Sequence, residues 1–377
     1  MPLLCGRTPL RRWFPVQNSW AGGAPDPGQY FDSGFLCLGL ETSCDETSAA
    51  VVAGAHQIRS NVISSQIAVH QRFGGVVPEI AARRHLERIV PVVEQALQEA
   101  HASLDQIGGI AVSYGPGLVG ALLVGVSAAK GLALALGKPF IGVHHVEGHI
   151  YANFLVHPEL EPPALCLTVS GGHTDLVYIR AHGEFRVVGR TRDDAAGEAF
   201  DKVARLLGLG YPGGPAVEAQ ARQGDPQAYP MPRALAGEDT LDFSFSGLKT
   251  AVARLIQELP DRNPRTLSNL CASFQAAVVD VLVSRTVQAM KKLGVRTVLL
   301  SGGVAANGEL RRRLEEAVRQ QGGRLYMPPA ILCTDNAAMV ACAGTYRLAR
   351  GERSGWDLNA VPSLALPEAP AASGASA

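Results

Sequence analysis

The sequence predicts an α/β protein made of two related lobes with a cleft between them, and three observations support this. Short apolar runs alternate with helical patterns along most of the chain. A strand, a turn of small polar residues and a second strand occur twice, 129 residues apart, from Cys37 and from Cys166. The 377 residues are 47% apolar and 18% charged, which suits two domains with a large core. Two unrelated hairpins are the alternative explanation of the repeat.

The predicted domain division follows from composition. Residues 1–34 are predicted to be a disordered extension, residues 35–150 the first lobe and residues 151–361 the second lobe. Residues 362–377, rich in Ala, Pro and Ser, are predicted to be a disordered tail. The basic, acid-poor start of the extension is also a feature of transit peptides, but its five prolines disfavour the amphipathic helix that such peptides form.

Seven strands and two long helices are predicted from periodicity. A helix over Leu270–Leu293 follows from apolar residues at a 3.6 period, and a second helix follows from near-helical spacing over Pro78–Ala100. The alternation in Leu241–Lys249 predicts a half-buried strand that ends in a turn, with Lys249 a functional candidate or simply a solvated side chain. The predicted strands are Phe35–Leu40, Ser48–Val52, Ile110–Ser113, Phe140–Val143, Leu165–Val169, Leu176–Ile179 and Thr297–Leu300.

Charge, cysteines and hydropathy restrict the class of protein. Lys+Arg and Asp+Glu both number 34, so RNA or membrane would have to be bound by local patches or through a partner rather than by bulk attraction. Seven scattered cysteines without a C-x-x-C pair favour a reducing compartment, hence the cytoplasm. The apolar segment Leu118–Leu136 contains Lys130 and three glycines, which favours a buried helix over a membrane span.

Three turns are candidates for ligand binding. The tip Glu41–Ser48 carries three carboxylates and four hydroxyls in eight residues, which suits a cation or a water but also an ordinary surface turn. The tip Ser170–Thr174 contains Gly171 and Gly172, which allow close approach of the backbone to an anion. The turn Ser301–Gly303 follows a predicted strand and precedes a helix that starts near Asn307, another arrangement that binds anions or ribose.

The segment His144–His149 is the metal candidate. In a helix, His145 and His149 share one face and both imidazoles can reach one ion, whereas Glu147 points away from it. A carboxylate from elsewhere would complete the set, and Asp335 is the choice, although its position before a helix also suits an N-cap. Histidines that only form hydrogen bonds are the alternative.

An acidic segment and two basic clusters complete the candidates. Asp194, Glu198 and Asp201 are predicted on one helical face, followed by the glycine-rich loop Tyr211–Pro215, so a carboxylate that binds sugar hydroxyls is one interpretation and a solvated face the other. The basic clusters, Arg83–Arg84 and Arg311–Arg313, could contact RNA phosphates but also suit ordinary helix surfaces.

Taken together, these segments resemble the ordered motif set of the tRNA N6-adenosine threonylcarbamoyltransferase family. The resemblance runs from about Leu36 to Ala365. It implies the actin, chaperone and sugar-kinase (ASKHA) architecture, with two lobes built on mixed sheets. The motifs that carry it are ETSCDETS, HHVEGH, VSGGHT, DDAAGEAFDK, YPGGP, DFSFSGLKT, SGGVAAN and CTDN.

The resemblance also implies an activity and its residues. The family transfers a threonylcarbamoyl group from threonylcarbamoyl-adenylate to N6 of adenosine 37 in tRNAs that read codons starting with A. By resemblance, His145, His149 and Asp335 hold one divalent metal ion, Fe(II) or Zn(II), and Glu46 is a catalytic or orienting carboxylate. The positions that match adenylate-binding residues are Thr168, Val169, Ser170, Gly171, Gly172, Asp201, Gly214 and Asn307.

Partners and competing functions follow from the same resemblance. Bacterial members work with a shorter paralogue of the same fold, which docks on an insert like residues 78–100, and with a small P-loop ATPase. Mitochondrial members form homodimers, so a homodimer and a mitochondrial location are the alternatives. The competing functions are an ATPase or kinase of the same fold, a zinc metalloprotease and an inactive scaffold.

Overall fold

The computed structural model describes residues 26–259 and 263–367, which form two five-stranded mixed sheets flanked by helices. The first sheet has the order β3-β2-β1-β4-β5, in which β1 is antiparallel to β2 and parallel to β4. Its strands are β1 (Leu36–Glu41), β2 (Glu46–Ala53), β3 (Gln57–Ser65), β4 (Ile107–Gly115) and β5 (Phe140–His144).

The second sheet repeats this topology. Its order is β10-β9-β6-β7-β8, with β6 antiparallel to β7 and parallel to β9, so each strand corresponds to the one five places earlier. The two predicted hairpins are therefore equivalent elements of the two sheets, which favours related lobes over unrelated hairpins. The strands are β6 (Ala164–Val169), β7 (Thr174–Ala181), β8 (Glu184–Arg190), β9 (Thr297–Ser301) and β10 (Arg324–Tyr326).

All seven predicted strands are present, but three strands were missed. Strands β3 and β8 lie at sheet edges and show mostly polar or half-buried residues, so they lack the apolar run that identifies a buried strand. Strand β10 is also an edge strand and has only three residues.

Eleven α-helices lie in the described part of the chain. The predicted helix near residues 78–100 is α2, and the predicted helix at residues 270–293 is part of the longer α8. The helices are α1 (Ile67–His70), α2 (Pro78–Glu99), α3 (Val119–Leu136), α4 (His145–Val156), α5 (Ala196–Leu207), α6 (Gly213–Ala221), α7 (Ser246–Glu258), α8 (Pro264–Leu293), α9 (Gly308–Gln320), α10 (Ala330–Cys333) and α11 (Ala337–Ala349).

Helices α4 and α11 lie between the two sheets and join the lobes. One hydrophobic cluster contains Cys37 and Ala111 of the first sheet, Cys166 and Leu299 of the second, the second half of α4 and most of α11. Two further clusters lie on the outer faces of the sheets, one on the first sheet and one on the second. The lobes therefore share a core, which fixes the carboxyl ends of their parallel strands around one cleft.

Two helices have the length and hydropathy of membrane spans, α3 and α8. Helix α8 is mostly buried and packs against α6 and α9, while α3 packs against α2 and strand β4. The apolar character of α8 is thus used mainly for packing in the second lobe, whereas α3 also exposes apolar side chains such as Val119 and Leu123.

The fold corrects the predicted strand at Leu241–Lys249 and parts of the two predicted disordered segments. Leu241–Lys249 is not a strand, because only Phe243 forms an isolated bridge, to Thr191, and α7 begins at Ser246. Within the predicted extension, residues 27–31 form a 3-10 helix with a buried Tyr30.

The predicted C-terminal tail also begins with packed residues. The carbonyl of Pro362 accepts a hydrogen bond from Gly117 N at 3.1 Å, and that of Leu364 accepts one from His144 Nε2 at 3.1 Å. Residues 1–25 and 368–377 of the two predicted disordered segments lie outside the described residues.

Candidate functional site

Two histidines and one aspartate meet at the cleft. Helix α4 starts at His145, so His145 and His149 lie one turn apart on one face, with ring centroids 4.6 Å from each other. Asp335 lies just before α11, and its Oδ1 is 3.5 Å from His145 Nε2 and 3.2 Å from His149 Nε2. The three donor atoms lie within 4.8 Å of one another, so one ion can contact all three.

Asp335 does not cap α11. The cap is Asn336, whose Oδ1 accepts a hydrogen bond from Met339 N at 3.1 Å. The Asp335 carboxylate is therefore free of the structural role that the sequence left open, and it faces both imidazoles.

Glu41 orients His145 from behind. The Glu41 side chain is fully buried at the end of β1, and its Oε2 accepts from His145 Nδ1 at 3.0 Å and from Ser113 Oγ at 2.5 Å. Its Oε1 accepts from Ser43 N at 2.5 Å. A carboxylate on Nδ1 fixes the ring and leaves Nε2 for an ion, which is the common arrangement behind metal-bound histidines.

The charges of the cluster reinforce one another. Burial lowers the pKa of His145, but the Asp335 and Glu41 carboxylates outweigh it and raise this pKa to about 9. Burial raises the pKa of Asp335, but His145 and His149 outweigh it and hold the value well below the usual range. The site therefore holds a positive charge, either a proton on His145 or a cation that replaces it, and two imidazole nitrogens with one carboxylate suit a transition metal.

The other residues of the segment act elsewhere. His144 Nδ1 accepts from Val146 N at 3.1 Å and caps α4, so it is structural. Glu147 is buried on the far side, with Oε2 3.7 Å from Arg347 Nη1, as the helical period predicts. The base position of an H-E-x-x-H protease is therefore not reproduced at this site.

The metal-ligand candidates open into a cleft of about 660 Å³ between the lobes. Both hairpin tips contribute to it, together with the loops after β4, β9 and α10 and one face of α5. Its lining residues are Ser43, Cys44, Asp45, Glu46, Ile67, Gly74, Gly75, Val76, Pro116, Gly117, Leu118, His145, Ser170, Gly171, Gly172, His173, Glu198, Asp201, Lys202, Arg205, Tyr211, Gly303, Thr334 and Asp335.

The glycine tip of the second hairpin is a preformed loop. Ser170 N donates to His173 O at 2.8 Å, and His173 N donates to Ser170 Oγ at 3.1 Å, which closes the turn. A Cβ added at Gly171 or Gly172 would meet no atom within 4 Å, so both face open space in the cleft. The loop leaves room for a ligand to approach the backbone.

Asp201 holds the α5–α6 corner. Its Oδ1 accepts a hydrogen bond from Gly213 N at 2.7 Å, and burial raises its pKa. The predicted acidic stripe is only partly correct, since Asp194 precedes α5 and its Oδ1 lies 2.6 Å from Lys202 Nζ. Lys202 also lies 2.9 Å from Glu198, so the lysine pairs with the two outer acids and leaves Asp201 separate.

Glu46 lines the cleft at the start of β2. Its Oε1 accepts from Ser65 Oγ at 2.7 Å, while its buried Oε2 has no hydrogen-bond partner among the described residues. Burial, with a contribution from Asp45, raises the pKa of Glu46 to about 8. Glu46 is thus a carboxyl group able to exchange a proton near neutral pH.

Four predicted substrate residues and one predicted metal ligand, His149, do not line the open cleft. Thr168 is buried with Oγ1 3.0 Å from Ser301 Oγ, and Val169 is fully buried. Asn307 caps α9 through Leu310 N and donates to Gln275 Oε1 at 2.9 Å. Gly214, next to the Asp201 contact, and His149, behind His145, also lie outside the lining set.

Sequence reasoning missed several residues of the site. Glu41, which lies behind His145 and not in the lining set, was noted only within the tip Glu41–Ser48; its role could have been found, because the carboxyl ends of parallel neighbours β1 and β4 meet at the cleft edge. His173 and Tyr211 lie within motifs already noted. Arg205 and Gly74 carried no signal, since they enter the cleft only through the packing of the lobes.

Known proteins resemble the chain closely. A family model described as tRNA N6-adenosine threonylcarbamoyltransferase matches residues 57–342. A protein of that name from Symbiobacterium thermophilum is 60% identical over 331 residues, which are 88% of this chain and 97% of that protein. Its counterpart from Moorella thermoacetica is 56% identical over 330 residues, 87% of this chain and 96% of that protein.

Solved structures show the same architecture. Full-length HypF in its phosphate- and nucleotide-bound form has a TM-score of 0.57 at 16% identity, covering 86% of this chain and 48% of HypF. Component A of (R)-2-hydroxyglutaryl-CoA dehydratase from Acidaminococcus fermentans has a TM-score of 0.51 at 14% identity. The match covers 84% of this chain and 99% of component A. These similarities and the paired mixed sheets confirm the predicted ASKHA fold. Because the family model and the relatives cover most of the sequence, the chain belongs to the tRNA N6-adenosine threonylcarbamoyltransferase family.

Proposed function

We propose that this enzyme transfers the threonylcarbamoyl group of threonylcarbamoyl-adenylate to N6 of adenosine 37 in tRNAs that read codons starting with A, and releases AMP. Family membership over residues 57–342 supports the reaction class. The observation that carries the proposal is that His145 and Asp335 of the metal-ligand cluster, the glycine tip and Asp201 line one cleft of about 660 Å³. That volume suits an adenylate with its acyl group.

The reaction is a nucleophilic acyl transfer. The N6 lone pair attacks the carbamoyl carbon, the bond from that carbon to the phosphate oxygen breaks, and AMP leaves with the bonding electrons. The N6 amine loses a proton, and we assign Glu46 as the acceptor of this proton. Its pKa of about 8 is close to neutral pH, where a general base works best. Since adenine amines are weak nucleophiles, much of the acceleration must come from orientation of the two reactants.

The donor set of His145, His149 and Asp335 fits one divalent ion, and we propose Fe(II) or Zn(II). Two imidazoles and one carboxylate occur with both metals. The ion would supply positive charge beside the reacting phosphate and carbonyl oxygens. Glu41 keeps the His145 ring in the ligating orientation.

We assign the adenylate to the second lobe. The backbone N–H groups of Gly171 and Gly172, at the end of the Thr168–Gly172 segment, are the donors we assign to the phosphate, and Asp201 accepts from hydroxyl groups of the substrate. Gly214 and Asn307 support this wall from α6 and from the start of α9. Thr168 and Asn307 contribute by fixing the loops, because their side chains are already paired.

The proposed partners are tRNA, a shorter paralogue of the same fold and a small P-loop ATPase. Helix α2 exposes Leu86 and Val90, and the adjacent α3 exposes Val119 and Leu123, each pair one turn apart. We assign this apolar surface to the paralogue, with a second copy of this chain as the alternative. Sedimentation of the chain with and without the paralogue distinguishes the two. The bacterial relatives favour a cytoplasmic location over a mitochondrial one.

The deciding experiment supplies threonylcarbamoyl-adenylate and unmodified tRNA to the purified chain with its candidate partners and analyses the nucleosides by mass spectrometry. Threonylcarbamoyl-adenosine is expected with the wild-type chain, and His145→Ala or Asp335→Ala should abolish it without a large change in the unfolding midpoint. A kinase would instead give phosphoryl transfer from ATP and no modified nucleoside. Full activity of both variants would refute the metal assignment.

A further inference from the structure

A short segment of the first lobe crosses the mouth of the cleft. We call residues 66–77, between β3 and α2, the strap. It contains α1 and a 3-10 turn over Gln71–Phe73, and Gly74 follows in the left-handed region at φ 68°. The buried His70 closes its base, with Nε2 3.3 Å from Gln66 Oε1 and Nδ1 accepting from Val77 N at 3.3 Å.

The tip of the strap contacts the second lobe at two points. Gln71 Nε2 donates to Tyr211 O at 3.0 Å, and Arg205 Nη2 donates to Gly74 O. Phe73 lies between these two contacts, directly before Gly74 and Gly75, which line the cleft. Its position is therefore fixed at the rim from both sides.

The Phe73 ring is directed to solvent. Among the Phe, Tyr and Trp residues that the structure describes, only Phe31 and Phe73 are exposed, and Phe31 packs edge-on against Tyr346. Phe73 is 57% exposed and has no ring contact with a described residue. The neighbouring Arg72 is exposed as well and has no ion pair or hydrogen bond within the described residues.

We propose that Phe73 and Arg72 form a binding site for one unpaired nucleotide of the tRNA anticodon loop, with the base stacked on the Phe73 ring and its phosphate beside the Arg72 guanidinium. This inference rests on the proposed function and adds a site at the rim. The nucleotide is the target adenosine or a loop neighbour.

The chemistry of single-stranded RNA favours this ligand. Bases in loops are unstacked and are commonly bound by exposed aromatic rings and by arginine. The chain has equal numbers of acidic and basic residues, so it offers no bulk attraction and RNA must be held by local contacts. The adenylate occupies the cleft in the proposed function, whereas Phe73 is outside the lining set and free to meet the second substrate.

The test compares Phe73→Ala with Phe73→Trp in the full chain with its partners. Unmodified tRNA and a labelled anticodon stem-loop are the RNA probes, and binding of threonylcarbamoyl-adenylate is measured in parallel. Loss of one stacked base weakens affinity by roughly 10-fold or more, so Phe73→Ala should raise the KM for tRNA and the stem-loop Kd by about that factor. Phe73→Trp should retain affinity, and adenylate binding should stay unchanged.

Arg72 and an exposed control complete the design. Arg72→Ala should reduce the salt dependence of stem-loop binding by about one phosphate contact, while Arg72→Lys should keep it. Leu134→Ala removes an exposed apolar side chain of α3 that is 67% exposed and should change neither RNA nor adenylate binding.

Distinct results separate this inference from the proposed function. Unchanged tRNA affinity in Phe73→Ala, or weaker adenylate binding, or loss of a protein partner, would overturn the stacking role while leaving the reaction in place. A wild-type chain that forms no threonylcarbamoyl-adenosine would overturn the reaction itself, and the stem-loop titration would still decide whether Phe73 binds RNA.

Discussion

At the scale of single residues, the three histidines of His144–His149 have different tasks. His144 caps α4 and contacts the C-terminal segment, and burial lowers its pKa to about 3. His145 and His149 face Asp335. The spacing of the sequence predicted that His145 and His149 share a face, which the structure confirms, but the neutral, structural role of His144 depends on the residues packed around it.

The contact between Glu41 and His145 can be tested by substitution. Glu41→Gln keeps the size of the side chain but removes the charge behind Nδ1, so we expect the metal affinity to fall about 10- to 100-fold. Competition with a chromophoric chelator measures this directly. Glu46→Gln is the matched control, since Glu46 lines the cleft without contacting a histidine, and equal metal affinity in wild type and Glu41→Gln would contradict the orienting role.

Glu46 should set the pH dependence of the reaction. A base must be deprotonated, so the rate is expected to rise as pH passes through about 8 and then to level off. Glu46→Gln should lose this rise and be about 100-fold slower or more. A pH profile of kcat for both forms decides the matter, and an unchanged profile in the variant would exclude Glu46 as the base.

The same group affects stability with a defined sign. Burial raises the pKa of Glu46 from 4.5 to about 8, so between these values the native state holds its proton more firmly than the unfolded chain. The Glu46 contribution to the free energy of unfolding therefore decreases as pH rises from 4.5 to 8. Urea unfolding across this range should show Glu46→Gln gaining stability relative to wild type.

The basic cluster Arg311–Arg313 shows what sequence alone leaves open at this scale. Arg311 donates to the carbonyl oxygens of Ala305 and Pro328, both at 2.6 Å, and so is a structural residue. Arg312 pairs with Glu309, and Arg313 Nη1 lies 2.6 Å from Asp280 Oδ1. Each arginine has a partner within the lobe, which disfavours a dedicated RNA contact.

At the scale of elements, the close packing of α5 against α6 explains the adjacent glycines of the YPGGP loop. A Cβ at Gly213 would lie 2.6 Å from Asp201 Cα and 2.7 Å from Phe200 O, whereas one at Gly214 would meet nothing within 4 Å. The first glycine allows the two helices to approach and Asp201 to accept from the loop. The second faces open space.

The two glycines therefore form a matched pair for mutation. Gly213→Ala should destabilise the protein by about 1–3 kcal/mol, because backbone atoms must move apart. Gly214→Ala should leave the stability within about 1 kcal/mol, since alanine is the better helix former at an open position. Urea unfolding of both variants measures the difference in the free energy of unfolding. Equal stabilities would show that α5 and α6 can move apart without loss of stability.

The hairpins were predictable and their edge strands were not. Strands β1 and β6 are fully or almost fully buried, so their apolar runs are visible in the sequence. Strand β3 begins with the exposed residues Gln57, Ile58 and Arg59 and has no continuous apolar run, so its sequence does not identify it as a strand. It forms because it pairs with β2. The segment around Phe243 alternates like a strand because Phe243 and Phe245 are buried while their neighbours hydrogen-bond around Asp193.

At the scale of the whole molecule, the lobes share the core around α4 and α11. Gly344 on α11 packs closely on β4, since a Cβ there would lie 2.3 Å from Ala111 Cβ. Ala111 belongs to the hydrophobic cluster around α4 and α11, which also includes Cys166 and Leu299 of the second sheet. A displacement of α11 should therefore disturb the packing of both lobes.

Gly344→Ala tests this coupling. Forcing α11 away from β4 should cost about 1–3 kcal/mol, and amide exchange should speed up in strands of both sheets. Gly131→Ala on α3, where a Cβ would meet nothing within 4 Å, is the control and should be neutral or stabilising. Faster exchange confined to the first sheet would mean that the lobes open independently.

The sequence by itself determined the α/β class, the repeated hairpin, the helical spacing of His145 and His149 and, through its motifs, the family. These properties are local, because strand burial, helix period and turn composition are written in neighbouring residues. The tertiary structure decided which distant groups meet: Glu41 behind His145, Asp335 between the imidazoles, and the strap across the cleft. The most distant pair, His145 and Asp335, is 190 positions apart, and only the packing of the two sheets around α4 and α11 brings such residues within reach.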